Sequence, residues 1–66
     1  GLGDVYKRQV LEIIDEYAGV LPFNDKASPE VIKRETGLSK NAFKRAVGHL
    51  YKEHKIEITE KVIRKL

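Results

Sequence analysis

The sequence predicts a small α+β domain, mostly α, with three helices followed by a C-terminal β-hairpin. Three observations carry that expectation. An amphipathic run spans Val10 to Ala18. Two serine-led helix starts, at Ser28 and Ser39, are separated by the stop-and-turn Gly37-Leu38-Ser39. Beyond residue 55 the apolar period shortens from helical to alternating. A chain of 66 residues has room for one domain. So short a chain buries only about 60% of its unfolded surface, which leaves function to the exterior.

In the first helix Val10, Leu11, Ile13, Ile14, Tyr17 and Ala18 share one broad face, and Glu12, Asp15 and Glu16 share the other. Gly19 is the expected stop. Val20-Leu21-Pro22-Phe23 is apolar but contains a proline, so it fits only an edge strand or an extended segment. Asn24, Asp25 and Lys26 read as a polar turn. Ser28 caps the second helix, Pro29 suits its first turn, and Glu30 favours the positive end of its dipole. After the Gly37 stop and a buried Leu38, Ser39 caps a third helix expected to run from about Lys40 to His54. Its apolar face is Ala42, Phe43, Ala46, Val47 and Leu50, with Tyr51 at the margin. Ile56-Glu57-Ile58-Thr59 alternates like a half-buried strand. Val62-Ile63-Arg64-Lys65-Leu66 fits either a returning strand or a helical turn, and Thr59-Glu60-Lys61 lacks the Asn-Gly or Asp-Gly of a tight hairpin. With the hairpin, the order is that of a winged helix-turn-helix.

Residues 1–9, GLGDVYKRQ, have a different origin in this reading. The DNA string GGGCTCGGAGATGTGTATAAGAGACAG translates to them, and it resembles the end of a transposase-based sequencing adapter. The expectation is a metagenomic fragment whose native sequence begins at Val10. The competing reading is a genuine helix start with Val5 and Tyr6 in the core. Foreign segments are kept out of fold reasoning.

Composition narrows the function. With no Cys there is neither a disulfide framework nor a thiol nucleophile. No segment approaches the ~20 apolar residues of a membrane span, so no membrane role is expected. His49 and His54 lie about 140° apart on a helix and do not share a metal; His49 and Glu53 alone make too few ligands. His54 suits a helix C-terminus, where positive charge is favoured. Ser28 and Ser39 are caps without a nearby base. The glycines at 19, 37 and 48 form no phosphate loop. Tyr17, Phe23, Phe43 and Tyr51 sit at core spacing, so no base-stacking platform is expected. The chain is read as a non-enzyme with no cofactor and no metal.

Charge points elsewhere. Residues 10–25 carry four acids and no cation, and residues 26–66 carry eleven cations against five acids. With Lys40 at 0° on the third helix, Lys44, Gly48, Asn41, Lys52 and Arg45 fall at about 40°, 80°, 100°, 120° and 140°. Cations at successive turns of one face can neutralise several phosphates, and Asn41 and Arg45 carry donors suited to base edges. Gly48 on that face admits a close partner backbone, or it is a neutral surface change or a packing site for a neighbouring domain. The bland alternative for the whole face is an ordinary solvated surface.

The segment Leu21–Leu50, with LPFNDKASPE before the second helix, the turn GLSK and the helix pattern AFKRAVGHLYK, resembles the C-terminal winged-helix domain of the conserved virulence factor B family. These are bacterial proteins with S1-like RNA-binding domains. The resemblance implies an accessory RNA-binding module of a larger cytoplasmic protein whose upstream S1-like barrels are missing here. It maps the basic face onto Lys40, Lys44, Arg45 and Lys52, with Lys55 and Lys61 near the wing; Asn41 joins the nucleic-acid candidates through its own donors. One departure is the absence of a hairpin glycine near Val62. Two alternatives stand beside RNA: a sequence-specific duplex-DNA reader using Asn41 and Arg45, and a structural or protein-docking domain without nucleic-acid contact.

Overall fold

The computed structural model describes residues 2–66, with side chains from Val5 onward. Gly1 and the side chains of residues 2–4, part of the stretch read as adapter-encoded, lie outside the described residues. Helix α1 spans Leu2–Glu16, α2 Pro29–Thr36 and α3 Lys40–Lys52. Strands β1 (Val20–Leu21), β2 (Ile56–Ile58) and β3 (Ile63–Lys65) form one antiparallel sheet in the order β1-β3-β2. The expected winged helix-turn-helix is present, and the Val20-Leu21 run adds an edge strand to the hairpin. Pro22 follows that edge strand, where the missing N–H costs no ladder bond.

The core follows from the two periodicities. Val10 and Ile14 of α1, Ile32 of α2, and Phe43, Ala46, Val47 and Leu50 of α3 meet Leu21, Ile56 and Ile63 from the sheet; all are at most 1% exposed. Phe23 packs on Phe43 with ring centroids 5.9 Å apart. Burial of a large apolar side chain contributes about 1.5–3 kcal/mol, so this cluster fixes how α3 is rotated against α1. Tyr51 is a correction: at 56% exposure it stands outside the core rather than at its margin. Helix α1 also begins earlier than Val10. Tyr6 packs half-buried against the core, Val5 is exposed, and Lys7 pairs with Glu53 at 2.9 Å. A formed helix propagates into adjoining residues at little cost, whatever their origin.

Both serine caps are in place. Ser28 Oγ accepts from the Val31 N–H at 3.3 Å, and Ser39 Oγ accepts from the Ala42 N–H at 3.2 Å. Gly37 takes the left-handed conformation at φ 76°. The helix ends elsewhere depart from expectation. Helix α1 closes on two left-handed residues, the expected Gly19 at φ 89° and, ahead of it, Ala18 at φ 59°: the Gly19 N–H returns to the Ile14 carbonyl and the Ala18 N–H to that of Asp15. Helix α3 stops at Lys52, two residues short of the expected His54. His54 is itself left-handed, at φ 58°, and the Lys55 N–H returns to the Leu50 carbonyl. Neither residue type announces such a stop.

The hairpin reading of the C-terminus holds. Ile56, Glu57 and Ile58 oppose Lys65, Arg64 and Ile63, and the Arg64 guanidinium donates to the Glu57 carboxylate across the pair. Thr59 supplies the turn that a glycine was expected to make. Its hydroxyl accepts from the N–H groups of Lys61 and Val62 at 3.3 and 3.0 Å and lies 3.1 Å from the Val62 carbonyl. Asn24, read as a plain turn residue, is 5% exposed and ties this turn down. Its amide nitrogen donates to the carbonyls of Thr59 and Glu60 at 2.9 and 3.0 Å, and its oxygen accepts from the Lys26 N–H at 2.8 Å.

Two measurements of stability test these assignments. Asn24→Ala removes three hydrogen bonds and lowers stability by about 1–3 kcal/mol in urea unfolding, with faster amide exchange over residues 59–66. A loss under about 0.5 kcal/mol would contradict the assigned role. Ala18→Gly relieves a left-handed alanine that is exposed and packs nothing, and raises stability by about 0.5–1 kcal/mol.

Candidate nucleic-acid interface

With α3 rotated by its buried stripe, the opposite side faces solvent. Asn41, Lys44, Arg45 and Lys52 are exposed, and Lys40 is half-buried at the first turn. The helix contains four cations and no acid over Lys40–Lys52. Lys40 to Lys52 spans about 18 Å along the axis at the standard rise. Lys40 sits at the positive end of the helix dipole, an arrangement unfavourable by about 0.3–1 kcal/mol, so helix stability does not account for it.

Several acids are engaged elsewhere. Lys65 pairs with Asp15 at 2.8 Å, Arg34 with Glu35 at 3.2 Å, Lys7 with Glu53 at 2.9 Å and Arg64 with Glu57. Glu35 also accepts from the Tyr17 hydroxyl at 2.8 Å, tying the turn after α1 to α2. That bond, with a second from Arg34, holds the Glu35 carboxyl below its ordinary range, and the same bond to Glu35 raises the Tyr17 hydroxyl above its own. Among the described residues, by contrast, no ion pair engages Lys40, Lys44, Arg45, Lys52 or Lys61. Exposed cations without a partner lose little hydration in meeting a phosphate and forfeit no existing pair.

The structure groups the candidate residues unevenly. Lys40, Asn41, Lys44, Arg45 and Lys52 lie along α3 itself. Asn41 and Arg45 border a shallow depression with Tyr6, Ser39 and Ala42. Lys55 lies past the helix end, 3.9 Å from the Glu53 carboxylate, and lines a different hollow with Lys7, Arg8 and Leu11. Lys61 is exposed in the wing turn. Gly48 lies between Lys44 and Lys52 on the cationic side, and a Cβ built there meets nothing within 4 Å. No intramolecular contact therefore requires glycine, although it weakens the helix by about 1 kcal/mol relative to alanine. Tyr51 beside Lys52 was missed by sequence reasoning; its position about 20° from Lys40 around the helix was the available signal.

Comparison with known proteins gives a consistent picture. A family model described as CvfB-like winged helix domain matches residues 8–64. Conserved virulence factor B of Staphylococcus saprophyticus is 51% identical over 51 residues, covering 77% of this chain and 17% of that protein. The Staphylococcus haemolyticus protein of the same name is 57% identical over 47 residues, covering 71% of this chain and 15% of its own. The chain thus spans about one-sixth of the length of these relatives. A crystal structure of a multidomain protein with nucleic acid binding domains, from Streptococcus pneumoniae, superposes with a TM-score of 0.85 at 33% identity, covering 91% of this chain and 21% of that one. On the extent of the family match and the shared fold, the chain belongs to the CvfB-like winged helix domain family.

Proposed function

We propose that this domain is an accessory RNA-binding module of a larger cytoplasmic protein, with S1-like barrels upstream, that holds the strand through phosphate contacts and reads little sequence. The observation that carries the reading is the α3 face. Four cations stand on a helix without an acid, and none has an ion-pair partner among the described residues. In this proposal Lys40, Lys44, Arg45 and Lys52 neutralise successive phosphates, and Asn41 donates to phosphate or base edges. Lys61 adds charge from the wing. Lys55 contributes least, because Glu53 offsets it. Residues 1–9 are read as a foreign extension of α1 and supply none of these contacts. Function as a binding module rather than a catalyst fits the same surface.

A duplex-DNA reader is less well supported, since beyond Asn41 and Arg45 the exposed face of α3 offers few side chains that discriminate base edges. The test is the salt dependence of binding, measured by fluorescence anisotropy with single-stranded RNA and with duplex DNA. Charge reversal at Lys44 and Arg45 weakens RNA binding at every sequence tried, and the slope of log affinity against log salt falls in magnitude by about 1.4. Unchanged affinity would mean an idle, solvated face, and a preference for one palindromic duplex would favour the DNA reader. Gly48→Ala stabilises the fold by about 0.5–1 kcal/mol in thermal unfolding while weakening RNA binding. Stabilisation with undiminished binding would make Gly48 a neutral surface position.

A further inference from the structure

Tyr51 leaves a feature that phosphate neutralisation does not use. The end of α3 and the hairpin enclose a groove of about 430 Å³, lined by Tyr51, Lys52, His54, Ile56, Glu57 and Leu66. Its buried floor is Ile56, at 1% exposure, and its apolar walls are Tyr51 and Leu66, at 56% and 68%. An exposed ring facing an exposed leucine is an apolar patch on a surface otherwise rich in charge. Among the described residues the Tyr51 hydroxyl has no hydrogen-bond partner. The Glu57 carboxylate on the rim is taken up by Arg64, so it does not oppose an anion there.

We infer that this groove is a nucleobase site, in which one base of a single-stranded nucleic acid stacks on the Tyr51 ring while Lys44 and Lys52 hold the flanking phosphates. The inference rests on the phosphate-binding reading above and gives it a strand preference. Lys44 and Tyr51 are seven residues apart, within about 20° around the helix and about 10 Å along it. A strand running along the lysines therefore reaches the ring at the C-terminal end of α3. Every base offers a π-face, so such a site favours single strands over duplexes without selecting sequence. Lys52 on the rim and Lys44 two turns up the helix distinguish this occupant from an apolar protein segment, which gains nothing from either and must desolvate Lys52.

The test uses the 66-residue chain with three labelled ligands: an oligouridylate, an abasic strand of equal length, and a duplex. Tyr51→Ala weakens oligouridylate binding by about tenfold at an unchanged salt slope, and Tyr51→Phe stays within about twofold of the parent. Neither variant alters binding of the abasic strand or the duplex. Because the side chain is exposed, circular dichroism of both variants matches the parent. In NMR spectra the Tyr51 ring protons move upfield on binding oligouridylate, and those of Tyr6 and Tyr17 do not. Equal losses on the oligouridylate and the abasic strand, or no loss on either, would overturn the base site while leaving salt-dependent phosphate binding intact. Absence of binding by the parent to any ligand at low salt would overturn both readings. A protein ligand whose binding needs Tyr51, with oligouridylate affinity unaffected by Tyr51→Ala, would likewise overturn the base site.

Discussion

The structure depends most on the burial of one stripe of α3. Phe43, Ala46, Val47 and Leu50 are at most 1% exposed, against Val10 and Ile14 of α1 and the inward residues of the sheet. In a domain with stability of roughly 3–10 kcal/mol, loss of Phe43 alone is of the same order as the whole. That burial fixes the rotation of α3 about its axis. Once it is fixed, Lys44, Arg45 and Lys52 have no direction left but outward. The cationic surface is thus a geometric consequence of the core. What the core does not explain is the absence of any acid on α3, or a lysine set against the positive end of its dipole.

The second constraint is polar and joins distant parts of the chain. Asn24 lies 35 residues before Thr59, and one buried amide holds the loop ahead of α2 against the wing turn. The three-stranded sheet is short, with two or three residues per strand, too little to hold the wing by ladder bonds alone. Asn24 and the Thr59 hydroxyl supply the missing definition. The wing also forms one wall of the groove beside Tyr51, so this network bears on the surface as well as on stability.

Much of this was legible in the sequence, because local rules and tertiary packing agree there. Ser28, Ser39 and Gly37 do what their chemistry predicts, and the apolar positions at 43, 46, 47 and 50 mark one helix face. The reading failed where a residue's role was set by partners far along the chain. Asn24 looks like any turn asparagine until Thr59 and Glu60 are placed beside it. Ala18 and His54 adopt left-handed backbones that their side chains do not advertise; each stands two residues ahead of a strand, where the chain turns from helix to sheet. Tyr51 was misread because an aromatic near an apolar stripe is usually core. Here Ile56 of the hairpin is buried, while the ring of Tyr51 beside it is left exposed. The cationic side chains themselves were legible, as was the place of Lys55 beyond α3; its approach to the Glu53 carboxylate was not.

The central claim is that the open face of α3 itself meets nucleic acid. The most direct measurement is a backbone NMR titration of the chain with single-stranded RNA at low and at physiological salt. Shift changes are expected to concentrate at the exposed positions of Lys40–Lys52 and in the wing turn, diminishing as salt rises. Changes confined to the acidic side of α1, or none at low salt, would contradict it.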